Sequence, residues 1–258
     1  MKKLHAGIGS LVFFLMIANA AAGDLPAGNC RNPLAATDLS RCDFSRQKMA
    51  GKNLRGALLA GAKMESTDFR KANLAGADLR GSNAKWANFT GANLAGADLR
   101  KADLFHAIFD EADLSGANLG RAYLFGANLI NTKAVGADFS GAYLKDILME
   151  GIDLSGGSLR GCYAFRGVFS GARLVGTDLS GADLTGSAMD QVDFSNGKLK
   201  ATRLAGATLR QAVFYGADLE SANFDNADVW NANFNKALNV SDSVREAMAE
   251  PFVVRERR

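Results

Sequence analysis

Every fifth residue from Leu34 to Phe234 is apolar, and the phase of this period never slips. The 41 positions hold 23 Leu, 10 Phe, 4 Met, 3 Ala and 1 Val. A period of five fits neither an α-helix, which repeats about every 3.6 residues, nor a flat strand, which alternates. The chain must therefore turn a corner once per repeat. Because the run covers about four-fifths of the 258 residues, we expect one continuous repeat domain.

The residues around these positions recur as Ala-Asp/Asn-Leu-X-Gly, as in Ala72–Gly76 and Ala77–Gly81. This motif resembles the pentapeptide-repeat proteins. The resemblance implies an all-β fold, a right-handed quadrilateral β-helix in which four pentapeptides form one square coil. About ten such coils would stack, with the central Leu or Phe and the Ala two residues earlier pointing inward.

The N-terminus is typical of a secretory signal peptide of a bacterial protein. Lys2 and Lys3 precede a short apolar run, and small residues follow it. The run is shorter than the roughly 20 residues of a transmembrane helix, which favours cleavage over an uncleaved anchor. No later stretch is apolar enough to span a membrane. We expect a periplasmic or secreted protein.

Four segments follow: a signal peptide at 1–22, an N-terminal cap segment at 23–33, the β-helix at 34–236, and a C-terminal cap helix and tail at 237–258. In the last segment, Val244, Met248 and Phe252 follow a serine-rich helix start at four-residue spacing. One interpretation is a lid that protects the edge of the last coil. The other is a homodimer contact, since the resemblance implies C-terminal pairing.

The three cysteines have separate predicted roles. Export makes a disulfide between Cys30 and Cys42 plausible at the start of the fold, with two free thiols as the alternative. Cys162 takes an inward Ala position, where its simplest role is to fill the core. Cys42 and Cys162 would lie six coils apart, which is too far for a disulfide.

Residues 20 apart should stack in columns, and one of the four faces collects aromatic side chains on the outside. Its first column holds Tyr123, Tyr143 and Tyr163. The second holds Phe105, Phe125 and Phe165 with Lys85 and Lys145 interleaved, and the third holds Trp86, His106 and Arg166. We call these residues the aromatic face. It is either a partner-binding surface or a ladder that stabilises neighbouring coils.

The other faces differ in character. The next face carries outward Ile108, Ile130, Leu148 and Val168, which would widen the apolar patch. A third face intersperses Arg80, Arg100, Arg160 and Lys200 with Asp78, Asp98, Asp138 and Asp178. That pattern predicts a solvated face whose charges neutralise one another.

Residues that could carry catalysis are scarce. Only His106 remains as a histidine after signal removal, the repeat itself specifies the many Asp residues, and Cys and His do not cluster as metal ligands. We therefore expect no enzyme, no cofactor and no metal site.

Three functional hypotheses remain. The first is an exported, non-catalytic scaffold that binds an unidentified protein or glycan through the aromatic face. The second comes from the resemblance: a DNA mimic that binds topoisomerases and confers quinolone resistance. Mimicry needs a continuous negative surface, whereas 30 Lys and Arg residues balance 27 Asp and Glu residues here, so nucleic-acid partners and mimicry are both disfavoured. A rod that only packs against its neighbours would instead self-associate.

Overall fold

The computed structural model describes residues 25–249, which wind into stacked coils of four repeats each. Residues 20 apart pair through parallel bridges, from Asp38↔Leu58 to Asp218↔Leu238. Each repeat contributes one bridged residue and then turns over the following residues. Within the described range, each strand is therefore a single bridged residue long. One helix, α1, spans Asp242–Ala249. It is too short to cross a membrane, and no other helix lies within the described residues.

One repeat, 72–76, shows why its five residues recur. Leu74 and Gly76 donate their N–H groups to carbonyls of the next coil at 2.7 and 2.9 Å, and Asn73 donates to the preceding coil at 2.9 Å. Ala72 donates to the carbonyl three residues before it at 2.9 Å. The remaining donor, the N–H of Ala75, is accepted by the side-chain oxygen of Asn73 at 3.2 Å. The motif therefore satisfies every backbone donor of the repeat.

The fifth position of the repeat lies in the left-handed region of the backbone. Gly76 has φ = 64°, as the third residue of a turn closed by the Ala77 N–H on the Leu74 carbonyl. Positive φ at this place is the mark of a type II turn, which favours glycine. Trp86 and His106 nevertheless adopt it, with φ of 53° and 52°.

The core is the axis of the solenoid. As predicted, the central apolar residues and the small residues two positions earlier are buried along most of the rod, although Phe234 in the last coil is half-buried. Phe69, Phe89 and Phe109 stack inside it, with ring centroids 5.1 and 4.7 Å apart. Cys162 fills one small inward position. Leu34, however, is 57% exposed, and its assignment to the lining was wrong because no complete coil precedes it.

The N-terminal segment covers part of the first coil. Ala27 bridges Asp38 across only 11 positions, so it takes the place that a preceding coil would occupy. The Gly28 N–H donates to the Asp38 carbonyl at 2.8 Å. A disulfide joins Cys30 to Cys42, with their Cα atoms 5.4 Å apart.

Helix α1 covers the opposite end. Val244 is fully buried against the core, while Met248 is 52% exposed. The hydroxyls of Ser241 and Ser243 donate to the Ala222 carbonyl at 3.1 and 3.3 Å, which ties the start of α1 to the end coils. Of the two interpretations of this segment, the lid accounts for Val244. Phe252 and the predicted signal peptide lie outside the described residues.

Candidate functional site

The tyrosine column forms a continuous outward stack. Tyr123, Tyr143 and Tyr163 are joined by successive parallel bridges. Their ring centroids are 5.1 and 5.3 Å apart, and adjacent rings are inclined by 17° and 35°. Tyr123 and Tyr163 are 40% and 36% exposed. Because each ring stacks on the next, the ring edges are the parts left toward solvent.

The phenylalanine column lies beside the tyrosines and is half-buried. Phe105 and Phe125 stack at 5.6 Å with an 8° inclination, and Phe165 lies 6.2 Å from Tyr163. Lys145 places its Nζ 5.8 Å from the Phe125 ring centroid, which is a cation–π contact. These rings therefore form the apolar floor of the aromatic face.

The rings of Trp86 and His106, in the third column, are not parallel to the stacked phenylalanine rings. Trp86, 48% exposed, and His106 are inclined by 84° and 89° to Phe105, so their ring planes are nearly perpendicular to that of Phe105. His106 lies across Gly126 of the next coil, where a Cβ would clash with the imidazole. Glycine is thus required at 126 for His106 to lie flat.

Two of the three cations of the aromatic face, Lys85 and Arg166, form ion pairs with carboxylates on the same side of the rod, and a third ion pair lies further along that side. The ion pairs are Lys85–Asp103 at 3.2 Å, Arg166–Asp146 at 2.8 Å and Arg203–Asp183 at 2.9 Å. Partial burial by itself raises the pKa of Asp183, but hydrogen bonds from Arg203 and Thr185 outweigh it and hold that pKa below its ordinary value. The Asp183 carboxylate therefore remains charged and paired at neutral pH.

The tyrosines replace the residue type that the backbone of the repeat needs. Tyr123, Tyr143 and Tyr163 occupy the position of Asn73, whose side chain accepts an N–H two residues ahead. Among the described residues, the corresponding N–H groups of Phe125 and Phe165 have no such acceptor. Nor do the three tyrosine hydroxyls have a hydrogen-bond partner in residues 25–249.

The faces outside the aromatic columns are charged or only half-buried. Arg80 pairs with Asp78 at 2.6 Å and also approaches Asp98 at 3.6 Å, as the predicted neutralisation requires. Lys200 instead pairs with Glu220 of the next coil, at 2.9 Å. The predicted apolar extension at Ile108, Ile130, Leu148 and Val168 is half-buried.

Two exposed aromatic residues were not singled out from the sequence. Trp230 is 54% exposed on the face next to the aromatic face. Tyr215 is 38% exposed elsewhere, with the Nζ of Lys236 5.1 Å from its ring centroid. Their outward position in the repeat was the available signal, but neither belongs to a column of aromatics.

The groups that this face exposes are aromatic rings and tyrosine hydroxyls, which can make apolar contacts and hydrogen bonds. Within residues 25–249, no His, Cys, Asp and Glu side chains group as metal ligands. Burial, aided by the nearby charge of Asp183, raises the pKa of the Cys162 thiol to about 12, so it is a poor nucleophile.

Comparison with known proteins identifies the repeat. The family model described as pentapeptide repeats matches in eight copies, over residues 37–74, 67–104, 85–121, 107–146, 122–161, 168–200 and 202–238. The structure is similar to that of HetL, a pentapeptide repeat protein involved in heterocyst differentiation regulation from the cyanobacterium Nostoc sp. strain PCC 7120. That likeness has a TM-score of 0.68 at 22% identity, covering 91% of this chain and 98% of HetL.

The full-length structure of QnrB1, a plasmid-mediated fluoroquinolone resistance protein, is matched at 23% identity with a TM-score of 0.40. That match covers 69% of this chain and 92% of QnrB1. No curated protein sequence matches the chain. The family model covers well over half of the residues, and the coils supply the fold that the motif predicts. The chain therefore belongs to the pentapeptide-repeat family.

Proposed function

We propose that this protein is an exported, non-catalytic scaffold, a right-handed rod of about ten coils that binds a protein or glycan through its aromatic face. The observation that carries the proposal is the tyrosine column. Phe would stack as well as Tyr, yet three successive coils carry hydroxyls that form no hydrogen bond among the described residues. Unpartnered hydroxyls beside exposed aromatic rings suit an interface.

Export rests on the N-terminal sequence alone, through its two lysines, apolar run and small residues. The DNA-mimic alternative receives no support from the surface, because Arg80 and Arg166 pair with carboxylates of the same rod. A mimic of duplex DNA would leave a row of negative charges unpaired.

The test is fractionation followed by crosslinking in intact cells. We expect the mature protein outside the cytoplasm, with a crosslinked neighbour that is lost when Tyr123 and Tyr143 become Asn and Phe105 and Phe125 become Ser. A matched control changes Arg80 and Arg100 on another face to Ser and should leave the adduct intact. An adduct that survives the aromatic substitutions would refute the proposed surface, and a cytoplasmic protein would refute export.

A further inference from the structure

We infer that the aromatic face takes an uncharged, extended β-1,4-linked polysaccharide lying parallel to the rod axis, with successive sugars meeting successive tyrosines. This inference rests on the proposed function and narrows its partner to one chemical class. It begins from spacing: the rings of Tyr123, Tyr143 and Tyr163 recur at 5.1 and 5.3 Å.

The spacing discriminates between ligands that could lie along the rod. An extended polypeptide presents side chains to one face every two residues, about 6.6–6.8 Å apart, and loses step with the tyrosines within two coils. One sugar of an extended β-1,4-linked chain occupies nearly the length of one coil step. Each sugar also carries hydroxyls at its edges, which can meet the unpartnered tyrosine hydroxyls.

A second copy of this solenoid would also match the spacing of the tyrosines, because its coils have the same spacing. The aromatic face, however, is too small to form a stable interface with it. From Trp86 to Phe165 the aromatic columns span four coil steps, about 19 Å, by about 10 Å across, from strand geometry. That is about 200 Å², whereas a stable protein interface buries about 800 Å² on each partner. A few sugars cover such a strip completely.

Charge and ring orientation agree with a neutral sugar chain. Lys85 and Arg166 are paired with carboxylates of the same face, and Lys145 contacts the Phe125 ring, so no row of free charge is available for an ionic polymer. At one end of the strip, Trp86 is 48% exposed, and its ring is nearly perpendicular to that of Phe105. Sugars stack their apolar C–H faces on such rings, so Trp86 would hold the terminal sugar.

The test is calorimetric titration of the full mature chain with three hexasaccharides. Two are extended and β-1,4-linked, built from N-acetylglucosamine or from glucose, and the third is the curled α-1,4-linked glucose hexamer. We expect at least one β-1,4 hexamer to bind, more tightly than its own trimer, and the α-1,4 hexamer not to bind. Tyr143→Phe removes one hydroxyl and should weaken binding about three- to tenfold, as for one hydrogen bond.

The decisive variant is Tyr143→Asn, because it installs the residue type that the repeat itself uses and should keep the fold. It should abolish measurable binding, whereas Tyr215→Phe, a tyrosine off the face, should leave the affinity unchanged. The inference is wrong if neither β-1,4 hexamer binds, if the α-1,4 hexamer binds equally well, or if Tyr143→Asn binds normally. Self-association that Tyr143→Asn removes would also overturn it, in favour of a second copy.

The proposed function can fail separately from this inference. If crosslinking captures a protein that depends on Tyr123 and Tyr143 while no hexasaccharide binds, the polysaccharide is wrong and the scaffold remains. If a β-1,4 hexamer binds but the protein is cytoplasmic, the recognition chemistry remains and export fails.

Discussion

Two buried serines occupy the same small inward position of the repeat but differ in their hydrogen bonds. The Ser187 hydroxyl donates to the Ala164 carbonyl of the preceding coil at 3.0 Å. Four buried threonines bond to the preceding coil in the same way: Thr67, Thr132, Thr177 and Thr202. The buried Ser82 hydroxyl has no partner among the described residues. An unsatisfied buried hydroxyl costs free energy that alanine would not.

We therefore predict opposite outcomes for the same substitution at these two sites. Ser187→Ala should lower the free energy of unfolding by about 1 kcal/mol, the net contribution of one hydrogen bond. Ser82→Ala should leave it unchanged or raise it. Denaturant unfolding followed by circular dichroism measures both, and each variant serves as the control for the other. A clear loss of stability for Ser82→Ala would mean that water or another group satisfies that hydroxyl.

Helix α1 acts as a single element that closes the core. An open β-helix would expose unpaired backbone groups at its last coil, and such edges template association. Val244 is the fully buried residue of α1, whereas Met248, one helical turn later, is half-exposed. The contribution of the lid should therefore be concentrated at Val244.

Val244→Asp should detach the lid. Burying an aspartate there is unfavourable, and losing the valine forfeits about 1.5–3 kcal/mol of apolar burial. We expect a lower melting temperature and concentration-dependent association in sedimentation velocity. Met248→Asp is the matched control and should leave the oligomeric state unchanged. If Met248→Asp alone changed the oligomeric state, the homodimer interpretation of this end would regain support.

Carboxylates along the whole rod give the molecule a shared pH dependence. Burial raises the pKa of Asp98, but hydrogen bonds from Arg100 outweigh this and lower it overall. The pKa is lowered likewise at Asp38, Asp43, Asp68, Asp113, Asp153, Asp178 and Asp183. Asp110 is an exception, since burial raises its pKa. A folded pKa below the unfolded value of 3.8 contributes stability above that value, which is lost as pH falls through the folded pKa.

The melting temperature should accordingly stay level from pH 7 to about 5 and fall below about pH 4. Replacing Asp98, Asp113, Asp178 and Asp183 with Asn keeps an acceptor oxygen for the backbone but removes the titration. Below about pH 4, the melting temperature of that variant should fall less steeply with pH than that of the natural chain. A fall of unchanged steepness would show that other groups set the acid sensitivity.

The fold was largely predictable because one physical constraint, a period of five, acts at every repeat. That period fixed the inward residues, the columns of residues 20 apart and hence the adjacency of Tyr123 and Tyr143. Burial at the ends of the rod was harder to predict, because an end coil lacks a neighbour on one side. Leu34 fits the period of five, but no coil covers it and it is exposed.

Less of the candidate site could be predicted. The columns determine the backbone position of each side chain, but they do not determine its rotamer or the orientation of its ring. Phe105 and Trp86 both stand in aromatic columns, yet their rings are inclined by 84° to each other. That orientation depends on side-chain torsions and on neighbours such as Gly126, which the periodic pattern does not encode. The ion-pair partners could not be predicted for the same reason. Lys200, for example, pairs with Glu220 and not with an aspartate of its own face.

Parallel bridges between residues 20 apart also restrict how this rod can change length. Inserting a single pentapeptide keeps every inward residue inward, so the core tolerates it, but it rotates everything downstream by a quarter turn. Such an insertion between Phe105 and Tyr123 would carry the tyrosines around the corner from Trp86. Only an insertion or deletion of a complete coil leaves the surface columns aligned, so the aromatic face can lengthen or shorten only by whole coils.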